Sequence, residues 1–115
     1  MVVWEDVVAH AGRLPEVTVG DHHGMDCLRF RTSILATHPD PATLRIMVAP
    51  DQIDEAVAEF AWCTPVLWGQ KVSAVAVALA DADPGVVRDM LTDAWRRRAP
   101  KRLQAGYDGG DLSDR

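Results

Sequence analysis

Apolar positions repeat with a helical period through residues 83–103. Val87, Met90, Leu91, Ala94 and Trp95 fall at i, i+3, i+4, i+7 and i+8 and form one stripe. Asp83 precedes them with a side chain that can accept from the first-turn N–H groups, and Pro84 suits the first helical position. Pro100 ends the helix by pushing Ala99 out of the α region. Just upstream, Val75, Val77 and Leu79 alternate with Ala74, Ala76, Ala78 and Ala80. Two apolar faces predict a central strand over 72–80, buried on both sides, with an alanine face that a helix can approach closely.

The same reading places a helix over 5–13, where Val7, Val8 and Ala11 share a face, and a second over 51–60, where Ile53, Ala56, Val57 and Phe60 do. Residues 17–20 form a short strand and Asp21-His22-His23-Gly24 a turn. Between the helices lies a meander of strands at 27–31, 34–38 and 43–48, joined by a Thr32-Ser33 turn and a Pro39–Ala42 turn. Those loops set a register in which Arg31 opposes Ile34, Arg29 opposes Ala36, Ala36 opposes Arg45 and Ile34 opposes Met47. One face then carries Leu28, Phe30, Leu35, Thr37, Leu44 and Ile46 as core. The other carries Arg29, Arg31, Ile34, Ala36, Arg45 and Met47. Residues 63–69 read as a loop or short strand. Tight turns between most strands predict an α+β domain, a mainly antiparallel sheet with helices packed against it. The domain is expected over residues 1–105, with a flexible Gly/Asp-rich tail over 106–115.

At 115 residues the chain fits one domain with one core. Its net charge of −5 argues against a generic polyanion binder, so any nucleic-acid contact must come from a local patch. Five of the twelve cations fall in Arg96, Arg97, Arg98, Lys101 and Arg102, leaving seven elsewhere against seventeen acids. Two cysteines do not make a disulfide framework. Neither a secretory leader nor an apolar run of membrane-spanning length is present, so a cytoplasmic protein without a membrane partner is the expectation.

Five groups of residues carry candidate chemistry. Arg96, Arg97, Arg98, Lys101 and Arg102 can neutralise several phosphates, or complete the dipole at a helix C-terminus. Arg29, Arg31 and Arg45 on one sheet face can receive an anion or nucleic acid, or remain a solvated face with salt bridges. His22, His23, Asp26 and Cys27 include metal-ligand types, but neighbouring strand residues point apart and no second Cys/His pair completes a site, so no metal is expected. Cys27 and Cys63 lack a basic neighbour to activate a thiolate, and no phosphate-loop or dinucleotide motif occurs, so neither catalysis nor a cofactor is expected. Trp62 and Trp68, around Thr64-Pro65-Val66-Leu67, are a candidate partner-binding loop.

Three stretches together resemble the MmcQ/YjbR family. They are W-E-D-V-V-A-H-A-G-R-L-P-E-V, then L-R-F-R with a short turn and I-L-A, and finally L-T-D-A-W-R-R-R-A-P-K-R-L after the long strand. They span nearly all of residues 1–103. The family often has Gly-Lys where this chain has Thr32-Ser33, and Gly-Trp where it has Lys71-Val72. The resemblance implies a compact α+β domain of double-wing type, DNA binding as the function and no particular substrate or cofactor. With the missing catalytic motifs and the net charge of −5, the expectation is a small non-catalytic protein whose DNA binding is weak and without sequence preference. A protein–protein interaction module using the Trp62/Trp68 loop is the alternative.

Overall fold

The computed structural model describes residues 1–113. Helix α1 (Trp4–Ala11) leads into strands β1 (Val17–His22), β2 (Met25–Phe30), β3 (Ser33–Asp40) and β4 (Thr43–Ile46). Then follow α2 (Pro50–Glu59), β5 (Cys63–Trp68), β6 (Lys71–Ala78), α3 (Pro84–Arg98) and α4 (Lys101–Ser113). The six strands form one antiparallel sheet in the order β1-β2-β3-β4-β6-β5. The fold is α+β, as the pattern of tight turns predicts.

One core lies between a sheet face and the helices. Val7 and Ala11 of α1, Ile53 and Ala56 of α2, and Val87, Met90, Leu91 and Trp95 of α3 meet Leu28, Phe30, Leu35, Leu44, Ile46, Val75 and Val77. The expected ends of α3 hold: Asp83 Oδ2 accepts from the Val86 N–H at 3.0 Å, and Ala99 is extended before Pro100. The chain does not stay extended after that proline. It resumes at once as α4, and the Gln104 amide donates to the Arg96 and Ala99 carbonyls at 2.9 and 2.8 Å, closing the open end of α3. Residues 106–108, placed in the tail by their composition, belong to α4, where Tyr107 packs on Trp95.

The meander departs from its expected register by one residue. Phe30 pairs with Ser33, so the turn is Arg31-Thr32 rather than Thr32-Ser33, and Arg31 takes a left-handed φ of 55°. A bulge opposite Leu28/Arg29 absorbs the extra residue. Beyond it Ala36 pairs with Ile46 and joins the core, while Thr37 pairs with Arg45, the reverse of their expected faces. Residues 63–68 take the strand alternative, at the edge of the sheet. One expectation changes in part: β6 lies inside the sheet, but its alanine side is buried only at Ala74, half-buried at Ala76 and exposed at Ala78.

Candidate functional site

Register and turn chemistry disperse the three arginines expected on one face. Arg45 sits in a row that runs Gly20, Cys27, Thr37, Arg45, Ala76, Thr64 across all six strands. The Arg29 guanidinium lies over Gly20, at the β1 end of that row. Three strand spacings of about 4.8 Å separate Gly20 from Arg45, roughly 14 Å in all. Arg31 is in the turn and forks onto Glu16 at 2.8 and 3.2 Å. That hydrogen bond, followed by the charges of Arg31 and Arg102, holds the Glu16 carboxyl below its ordinary pKa. The three arginines therefore do not converge on one point of the sheet face.

The C-terminal cluster divides in a different way. Arg96 is held by Asp108 at 2.8 and 3.3 Å and lies near the Trp95 and Tyr107 rings. Arg97 donates to the Met47 and Val48 carbonyls at 3.3 and 3.2 Å, tying α3 to the segment between β4 and α2. Both are structural in part, and Arg97 keeps its charge at the surface. Arg98, Lys101 and Arg102 have no side-chain hydrogen bond or ion pair among the described residues. They are exposed where α3 hands over to α4.

A groove of about 470 Å³ opens beside them, at the end of the sheet where β3 begins and β4 leaves. Ser33, Ile34, Met47, Val48 and Pro50 line one part of it. Trp68, Lys71, Val72 and Ser73 of the β5–β6 hairpin line another, and Arg97 and Arg98 close it. Three cations thus face an apolar floor, and no acid is among the lining residues. The hairpin tip turns through Gly69-Gln70, and Gly69 takes φ 65°, a conformation that glycine adopts without a Cβ penalty. This places Trp68 directly across from Lys71, with the indole 80% exposed.

The two candidate tryptophans stand at opposite ends of β5. Trp62 precedes β5 and stacks on Phe60 at 4.7 Å, half-buried against the core, whereas Trp68 ends the strand six residues later. The sequence pointed to Trp68 and to the cations one group at a time. It offered no sign that Trp68, Lys71 and Arg98 share a groove, because they come from a hairpin and a helix end far apart in the chain.

The other candidates are dispersed. His23 is in the β1–β2 turn, and Cys27 is fully buried in β2. No three His, Cys, Asp or Glu side chains converge as metal ligands among the described residues. Burial pushes the Cys63 thiol up to about 11, so it is protonated at neutral pH. No described helix is long and apolar enough to cross a membrane. In comparisons with known proteins, the chain matches no family model, no curated protein and no solved structure.

Proposed function

We propose that this chain is a non-catalytic nucleic-acid-binding domain of MmcQ/YjbR type, with its contact surface at the basic end of the sheet. The observation that carries the reading is a groove with three cations and no acid, in a chain whose net charge is −5. Arg98, Lys101 and Arg102 stand next to it with no described partner to neutralise them. Attraction to a polyanion is local, since the whole chain repels one at long range. Binding is weak and non-specific, with Kd about 10⁻⁴ to 10⁻⁶ M at physiological salt.

Fluorescence anisotropy with labelled, mixed-sequence DNA at several low salt concentrations tests this. The comparison is wild type against the triple variant Arg98→Gln/Lys101→Gln/Arg102→Gln. Removing one phosphate-binding cation lowers the log–log salt slope by about 0.9 on duplex and about 0.7 on single strands. The variant folds, because exposed charges contribute little stability. No binding at about 0.1 mM protein in dilute buffer removes the nucleic-acid reading.

A second reading rests on a different observation. The edge strand β5 leaves Leu67 56% and Trp68 80% exposed, a start for a protein-interaction surface. Association through that surface would be insensitive to salt.

A further inference from the structure

We infer that the groove takes single-stranded rather than duplex nucleic acid, with one unpaired base stacked on Trp68 and the flanking phosphates at Lys71 and Arg98. This rests on the nucleic-acid reading above and narrows it.

The indole is the first reason. Among the described residues Trp68 is the most exposed large apolar side chain, and it packs on no other aromatic ring there. It stands directly across from Lys71 and shares the groove with Arg97 and Arg98. A flat π-surface flanked by cations suits a base that presents its face and carries a phosphate on each side. In a duplex those faces are hidden inside the stack, so Trp68 would have nothing to cover it.

The floor is the second. Ile34, Met47 and Val72 supply apolar surface in the same groove, and about 470 Å³ is within the range of small-ligand sites. The groove therefore has room for a nucleotide or two, not for the width of a double helix. Arg97 is pinned to the Met47 and Val48 carbonyls, so its charge is fixed at the wall and Arg98 remains free to follow a phosphate. From Arg98 the charge continues to Lys101 and Arg102. That gives a bent backbone a track to follow along one edge.

The helices are the third. A duplex bound without sequence preference is held through the phosphates of both strands, which calls for cations spread over an outward face. The outward residues of α2 include Asp51, Asp54, Glu55 and Glu59, and α1 opens with Glu5 and Asp6. On α3 the exposed middle pairs Arg88 with Asp89. No described helix presents a basic face; the positive charge is concentrated at the α3–α4 junction.

The test compares an oligothymidylate of about 12 nucleotides with a duplex of equal length, at one low salt concentration. Three proteins are used: wild type, Trp68→Ala and Trp68→Phe, each checked for its fold by circular dichroism. Wild type binds the single strand more tightly than the duplex. Trp68→Ala weakens single-strand binding by on the order of 10- to 100-fold and leaves duplex binding where it was. Trp68→Phe keeps most of the affinity. Single strand quenches the intrinsic fluorescence of wild type, and that quenching is lost in Trp68→Phe. The inference is overturned if Trp68→Ala binds single strands as wild type does, or weakens both forms alike. It is also overturned if the duplex binds as tightly as the single strand. In those cases the nucleic-acid reading stands without it. Binding of neither form overturns both, and leaves Leu67 and Trp68 as a surface for a protein partner.

Discussion

Trp95 joins the last long helix to the rest of the molecule. It is 0% exposed, its indole N–H donates to the Pro15 carbonyl at 2.9 Å, and the Tyr107 ring lies 5.1 Å away. Trp95→Ala removes about 3–5 kcal/mol, a large part of the roughly 5–15 kcal/mol of a small domain. Denaturant unfolding checks this, and an unchanged midpoint would contradict the packing. His10 makes a second prediction. The Thr92 hydroxyl donates to the Arg88 carbonyl at 3.0 Å, so at 2.9 Å it accepts from His10 Nε2, and His10 Nδ1 is buried with no hydrogen-bond partner in reach among the described residues. Burial first, and then the charges of Arg88 and Arg13, lower the His10 pKa below 6.5. The unfolded chain therefore takes up the proton first as pH falls. His10 is neutral in both states well above pH 6.5, and stability declines as pH drops below that value. The Tm of wild type should fall more steeply below pH 6.5 than that of His10→Gln. Equal slopes would remove His10 from the acid response. The Trp95 stripe was legible from spacing alone, but the His10–Thr92 bond, 82 residues apart, was not.

At the level of elements, the ends of α3 were legible because Asp83, Pro84 and Pro100 act on their own backbone. The helix after Pro100 was not. Lys101 to Ala105 are good helix formers, but a run that short is marginal by itself and the G-Y-D-G-G after it disfavours helix, so α4 depends on tertiary partners: Leu103 and Tyr107 against the core, and Asp108 on Arg96. Ending the chain at Ala105 should thus lower stability by about 1 kcal/mol, since it removes the Tyr107–Trp95 aromatic pair. A free tail would leave the Tm unchanged, and thermal unfolding of the truncated chain decides between the two. The meander shows the converse limit. Its strands and its apolar residues were readable from alternation, yet the turn moved by one residue. Arg31 accepts a left-handed conformation there, which no local preference favours, and its guanidinium is fastened to Glu16.

For the whole molecule, charge asymmetry matters more than net charge. Seventeen acids set the sign of the total, while the groove and the α3–α4 junction keep a cationic end. The salt dependence proposed above belongs to that end. What the sequence determined by itself is the α+β class, the apolar stripes of the helices, most of the core residues of the strands, the α3 boundaries and the existence of a dense basic segment. These follow from periodicity, capping and proline sterics, which act within a few residues. The tertiary structure decided which cations are free. Ion pairing takes Arg31 and Arg96, backbone carbonyls take Arg97, and a bulge and the strand spacing separate Arg29 from Arg45. It also brought Trp68 and Lys71 of one hairpin to the end of a helix much later in the chain. Partners at such separations are chosen by how the whole chain packs, and no local pattern encodes that choice.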